Sequence, residues 1–321
     1  MDTQLTLELI ERAREVVSHA ARRTWCEPSD ALSDQLGQPV WLKLENLQVT
    51  GSFKVRGALF AISQLSGEQR RAGVVTCSAG NHGKALAWAG KRAGTSVRVY
   101  VPRSIDAAKL AGMRRLGAEV VISEFDGYDD TQDWAIESER DTGRTFISPY
   151  DDPVIMAGNG GTLAAEVLAE VPDAREFILP VGGGGLAAGF SLYARHHAPG
   201  ARIVGCQHVL SPALKLSLER GEAVTHLPAV ETLAGGVEGG LGARPFEVLR
   251  DGISDVALVS EEQIIDALRW MLANHQYLIE PTAAVTVAAC LAGAVGRLSA
   301  PAVVVLSGRN VNFETVAKLL S

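Results

Sequence analysis

Lys43-Leu44-Glu45-Asn46-Leu47-Gln48-Val49-Thr50-Gly51-Ser52-Phe53-Lys54-Val55-Arg56-Gly57-Ala58 places a lysine directly after Gly-Ser-Phe, at the opening of an apolar-periodic helix. A helix N-terminus carries partial positive charge, so a cation there is disfavoured and its pKa should fall. A neutral amine is what Schiff-base chemistry requires. Taken alone, the plainer reading of Lys54, a solvated lysine at a helix start, is the better one. The rest of the chain reverses it.

Outward from that run, the composition is that of a large globular protein. The chain has 321 residues, 47% of them hydrophobic, with 33 glycines, 13 prolines and a formal charge of −7. No basic tail or lysine-arginine run is present, which argues against nucleic acid and anionic membrane as partners. There is no signal-peptide pattern and no uninterrupted apolar stretch of spanning length. Cys26, Cys77, Cys206 and Cys290 are scattered without CxxC spacing, which disfavours a disulfide framework or a structural zinc and suits a reducing cytoplasm.

Short apolar runs alternate with helical patterns. Val74–Cys77, Val97–Val101, Ala118–Ile122, Phe177–Val181, Arg202–Cys206 and Ala302–Leu306 read as buried strands, with a helix over Ala107–Leu116 between two of them. An amphipathic helix at the N-terminus places Leu7, Ile10, Ala13, Val17 and Ala20 on one face. This alternation predicts an α/β protein with parallel sheets covered on both faces. One group of units precedes about residue 148 and one follows it, with Ser148-Pro149-Tyr150-Asp151-Asp152-Pro153 as the linker. Gly235-Gly236-Val237-Glu238-Gly239-Gly240 reads as a flexible wall of a site rather than a linker.

Three further segments carry chemistry. Val181-Gly182-Gly183-Gly184-Gly185-Leu186 joins a strand to the helix of Ala187–Ala194, and consecutive glycines let backbone N–H groups converge on an anion. An ordinary strand–helix turn needs one or two glycines, not four. A dinucleotide fingerprint would usually lie near the start of a nucleotide domain, followed by a ribose-binding acid. Ser78-Ala79-Gly80-Asn81-His82-Gly83 is a second strand–turn–helix nest, suited to a carboxylate. Leu306-Ser307-Gly308-Arg309-Asn310 follows the last strand, and Ile279-Glu280-Pro281-Thr282-Ala283 opens a helix with proline in its first turn.

Together these segments resemble, in order and across nearly the whole chain, the pyridoxal-phosphate enzymes of the threonine dehydratase and serine racemase family, of the tryptophan-synthase-β-like fold type. The resemblance implies two open, mostly parallel twisted sheets with the cofactor in the cleft between a large domain, 1–47 and 149–321, and a small domain, 48–148. It implies that Lys54 holds pyridoxal 5'-phosphate as a Schiff base and that Phe53 packs on the pyridine ring. Gly182, Gly183, Gly184 and Gly185, with the Leu186 backbone, would cradle the phosphate. Asn81 would bond the phenolic oxygen and Ser307 face the pyridine nitrogen, with Glu280 near the ring. Ser78, Ala79, Gly80, Asn81 and His82 would grip the substrate carboxylate. A hydroxyl cannot protonate the ring nitrogen as a carboxylate would, so the cofactor is a weaker electron sink, which suits β-elimination.

Where the chain departs from the family pattern, it narrows the reading. Ala79 stands where serine racemases carry a second serine, so elimination from Lys54 alone is favoured over two-base racemisation. Gln207, His208 and Ala213 replace the acidic ligands of a divalent cation, and no metal is expected. Gly235 replaces an aspartate and would enlarge or loosen the pocket. Asn159-Gly160-Gly161-Thr162 is one glycine longer than the family turn. Arg309 replaces a glycine and could either reach a second anionic group on the substrate or point to solvent.

The expectation is a lyase that dehydrates and deaminates a β-hydroxy-α-amino acid such as threonine or serine to a 2-oxo acid and ammonia. An aryl-serine, a hydroxyaspartate and a hydroxyectoine-derived acid stay open as substrates. The alternatives are a serine-type racemase with side dehydratase activity, a β-replacing synthase, and a non-catalytic binding protein on the same scaffold. A homodimer is expected, as is the lack of a C-terminal regulatory domain.

Overall fold

The strand–helix rhythm sorts into two sheets in the computed structural model, which describes residues 4–320. In chain order the strands are β1 (Cys26–Pro28), β2 (Val40–Lys43), β3 (Val74–Cys77), β4 (Val97–Val101), β5 (Glu119–Ile122), β6 (Thr145–Phe146), β7 (Glu176–Pro180), β8 (Arg202–His208), β9 (Asp255–Val259) and β10 (Ala302–Val305). A six-stranded sheet runs β1-β2-β10-β7-β8-β9, and a four-stranded sheet runs β5-β4-β3-β6. Among the described residues β1–β2 is the one antiparallel strand pair; the other pairings are parallel. The fold is therefore α/β with two open, mostly parallel sheets, as the alternation predicts.

Burial follows the pleat. Phe177 and Leu179 of β7, with Val303 and Val305 of β10, pack on one face of the larger sheet. Ile178 and Val304 point to the other, against Val285, Ala288 and Met271. Side chains that alternate between two apolar layers explain why these strands read as continuous hydrophobic runs. The N-terminal helix, Leu7–Ser18, is capped by Thr6, whose hydroxyl accepts from the Leu9 N–H at 3.1 Å. It buries Leu9, Ile10, Ala13 and Val17.

Several expectations need correction. The first helix ends at Ser18, so Ala20 lies beyond it, and Leu9 takes a buried place that Leu7 only partly fills. β5 is a half-exposed edge strand rather than a buried one, with Ile122 45% exposed. As an end strand it is paired on one side only. β1, β2, β6 and β9 were not legible as strands: β1 and β6 have three residues or fewer, β2 ends in Lys43, a fully buried charge that breaks the apolar run, and β9 opens on exposed Asp255 and is only partly buried.

The ends of the parallel strands place the chemistry. β3 runs into Ser78-Ala79-Gly80, β7 into the tetraglycine turn and β10 into Ser307, all at carboxyl ends, where open α/β sheets hold ligands. No helix among the described residues is long and apolar enough to cross a membrane.

Candidate active site

One cavity, of about 1120 Å³, lies between these strand ends. The residues expected to hold the cofactor and the substrate carboxylate all line it: Phe53 and Lys54, the turn Ser78 to His82, Gly182 through Leu186, Glu280 and Ser307.

Lys54 opens the helix Lys54–Ser63, and its approach is built by two neighbouring strands whose pairing continues past their ends. Leu306 N–H donates to the Lys43 carbonyl at 3.0 Å, Phe53 N–H to the Ser307 carbonyl at 3.1 Å and Arg309 N–H to the Gly51 carbonyl at 2.8 Å. The loop before Lys54 is thereby locked to the loop that carries Ser307. Lys54 Nζ donates to the Pro149 carbonyl at 2.8 Å. Its amine is pushed down to about 8, chiefly by burial, while the Glu280 carboxylate works in the opposite direction. The fall predicted from the helix N-terminus is present, but desolvation is its main cause.

The glycine turn is a cradle that side chains would fill. A Cβ on Gly185 would sit 2.6 Å from the Tyr150 carbonyl oxygen, and one on Gly183 would enter the Tyr150 ring. At Gly182 it would meet the Gly236 carbonyl, and Gly184 adopts φ +87°, which favours glycine. Gly185 begins the helix Gly185–His197, so the turn's N–H groups sit at a helix N-terminus, an anion site by geometry. Tyr150, which sequence reasoning left in a linker, forms one side of this cradle; Pro-Tyr between turn formers was its only signal.

Beside the cradle, the Ser307 hydroxyl is buried with no partner among the described residues. A buried hydroxyl without a partner costs free energy unless a ligand completes it. Glu280 precedes Pro281 at the start of the helix Pro281–Leu291, yet its side chain does not cap that helix. It accepts from Asn81 Nδ2 at 2.6 Å, and burial pushes its carboxyl up to about 7. His82 is buried and pushed down to about 3, first by desolvation and then by the Lys54 charge, so its ring stays neutral. In the nest, Ser78 Oγ accepts from Gly80 N–H at 3.3 Å.

The departures from the family pattern also take definite places. Gln207 Oε1 accepts from the N–H groups of Leu214 and Lys215, at 2.9 and 3.2 Å, so it ties down the start of the helix Ala213–Arg220. His208 Nδ1 accepts from Leu210 N–H at 3.2 Å. Asn159, Gly160 and Gly161 fall in a π-helical turn, Ala157–Gly161. Asn159 Oδ1 there accepts from Gly57 N–H at 2.8 Å, one turn after Lys54. The 235–240 segment lines the cavity and Gly236 N–H donates to Thr282 Oγ1 at 3.0 Å; a Cβ on Gly235 would meet nothing within 4 Å. Arg309 is exposed and is not among the residues lining the cavity, so it takes the solvent-facing of its two expected places.

A lysine with a depressed pKa, a glycine cradle at a helix N-terminus and an unpartnered hydroxyl on neighbouring strand ends define a two-sheet α/β enzyme. Its site is shaped for a phosphate-bearing aldehyde cofactor. The comparisons agree: the family model "Pyridoxal-phosphate dependent enzyme" matches residues 17–308. The L-threonine ammonia-lyase of Geobacter sulfurreducens is 37% identical over 98% of this chain and 77% of its own length. The serine racemase of Schizosaccharomyces pombe is 34% identical over 98% of this chain and 97% of its own. Among solved structures, maize serine racemase superposes with a TM-score of 0.92 at 28% identity, covering 100% of this chain and 97% of that one. The chain belongs to the pyridoxal-phosphate dependent enzymes of the threonine dehydratase and serine racemase family.

Proposed function

We propose that this protein is a pyridoxal-phosphate dependent ammonia-lyase that converts threonine or serine to a 2-oxo acid and ammonia. The observation that carries the reading is Ala79, which brings only a methyl group to the carboxylate nest, beside His82, whose lowered pKa leaves it without a proton to donate. Pyridoxal phosphate, when bound, supplies the aldehyde and the conjugated ring that draws electrons from the substrate's Cα. Lys54 would hold it, with Phe53 against the ring and Gly182 through Gly185 and the Leu186 backbone on the phosphate. Ser307 would donate to the ring nitrogen and Asn81 to the phenolic oxygen, with Glu280 behind Asn81. Backbone groups of Ser78, Gly80 and Asn81 would orient the substrate carboxylate. Lys54, as a neutral amine, would take the Cα proton, and the ammonium so formed would pass it to the β-hydroxyl, which would leave as water. Ala79 has no exchangeable proton at the position where serine racemases carry a serine, so return of the proton to the opposite face would be slow.

Sheet membership supports a large unit of 1–47 with 149–321 and a small unit of 48–148, since the strands of the six-stranded sheet all fall in the first. We also infer a homodimer, for which exposed Trp25 and Leu210 offer apolar contact surface, and a cytoplasmic setting, which suits four buried free thiols.

The test is a panel of D- and L-β-hydroxy amino acids assayed both for 2-oxo acid and for enantiomer interconversion. Release of 2-oxo acid should exceed interconversion, and Lys54→Ala should lower it by about 10²–10⁴-fold or more. Interconversion outpacing release would overturn the lyase reading in favour of a racemase, and a holoenzyme inert to the whole panel would end it.

A further inference from the structure

Four side chains form an unbroken file across one edge of the cavity. Lys84 lies three residues after Asn81 on the helix Asn81–Ala93, so both project from the same face. Lys84 Nζ donates to Asn310 Oδ1 at 2.7 Å. Asn310 Nδ2 donates to Asn81 Oδ1 at 2.6 Å and to the Thr50 carbonyl at 3.0 Å. Asn81 Nδ2 donates to Glu280 Oε1 at 2.6 Å. The residues come from the nest, the glycine-poor loop after β10 and the start of the helix Pro281–Leu291, and the file ties these segments together.

A lone asparagine amide can be turned either way within its density of contacts. Here the ends leave no choice. An ammonium has only hydrogens to give, and a backbone carbonyl can only accept. With Lys84 on its oxygen and Thr50 on its nitrogen, Asn310 must present N–H to Asn81. Asn81 must then present its oxygen to Asn310, and its amino group is turned toward Glu280 and the cavity.

We propose that Asn310, held by Lys84 and the Thr50 carbonyl, is a positioning residue that fixes Asn81 as a hydrogen-bond donor toward the cofactor's phenolic oxygen. The inference rests on the placement of the cofactor beside Asn81 given above. With Asn81 turned the other way, its carbonyl would face that oxygen and repel it. A donor stabilises the oxygen's anion and so lowers the pH at which the lysine-linked chromophore loses its proton. The charged groups facing the file are Lys54, Lys109 and Lys84 around Glu280, and Arg309 beside Lys84. None of them is itself replaced in the variants used below, which exchange neutral side chains only.

The experiment is a spectrophotometric pH titration of the purified holoenzyme and two variants. Asn81→Ala should raise the midpoint of the colour change by about one pH unit, the size of one lost hydrogen bond to a charged oxygen. Asn310→Leu, neutral and of similar volume, should raise it in the same direction by at least a third of that amount. If it does not fold, Asn310→Ala is read in the same way. A midpoint that moves with Asn81→Ala and stays with the Asn310 variant overturns the positioning role while leaving the cofactor placement intact. A midpoint unmoved by Asn81→Ala overturns the placement, and the role of Asn310 with it.

Discussion

Desolvation sets the behaviour of Lys54 more than its place at a helix start does. Its amine sits near 8 against an ordinary 10.5, so between those values the unfolded chain holds a proton that the native site has shed. Stability of the apoprotein from this group therefore rises with pH across that window. The same depression makes the amine reactive near neutrality. Capture of pyridoxal phosphate by the apoprotein, followed by absorbance, is expected to accelerate through a midpoint near 8; a midpoint at the ordinary lysine value would show that burial does not tune the amine. Lys54 itself, the glycines and Ser307 were legible because each sits in a local pattern of turn and strand end. Tyr150 was not, since its part in the cradle depends on packing against residues 183 and 185 rather than on its sequence neighbours.

Among the elements, the tight seam between the helix Gly185–His197 and the π-helical turn Ala157–Gly161 holds the glycine turn in place. A Cβ on Gly160 would run into the Leu186 carbonyl, and one on Gly189 into that of Met156. Backbone cannot yield as a side-chain tip can, so Gly160→Ala should cost about 3 kcal/mol or more of stability. Gly235→Ala, where a Cβ meets open space, should stay within about 0.5 kcal/mol. Urea unfolding of the two variants separates these outcomes; equal losses would mean that the seam is not tight. Nothing in the sequence says which of the two glycines is tightly packed. Their difference arises from what packs against them.

Across the whole molecule, the larger sheet and the lysine helix are joined by a buried ionic network. Arg56, fully buried, donates through Nε and Nη2 to both oxygens of Glu45 at 2.8 Å, and through Nη1 and Nη2 to both oxygens of Glu166 at 2.7 Å. Lys43 Nζ completes it at 2.8 Å from Glu166 and 2.6 Å from the Thr24 carbonyl. Burial acts to raise the Glu45 carboxyl, but Arg56 overrides it and holds the group below its usual value. That contribution to stability is present above the ordinary carboxylate range and is lost as pH falls through the depressed value. Arg56→Met leaves the Glu45 carboxylate buried without its cation and should destabilise the fold by about 3–5 kcal/mol at neutral pH. A loss under about 1 kcal/mol in denaturant titration would mean that water or rearrangement replaces the arginine. By itself the sequence determined the α/β class, the lysine segment, the glycine-rich turns at the strand ends and the alanine at position 79, because these are written in contiguous residues whose turns and caps are local. Only the tertiary structure decided the depth of Lys54, the outward course of Arg309 and the bonds of Asn81 to Asn310 and Glu280. Those partners stand 229 and 199 residues away in the chain, and neither desolvation nor pairing exists until folding brings them together.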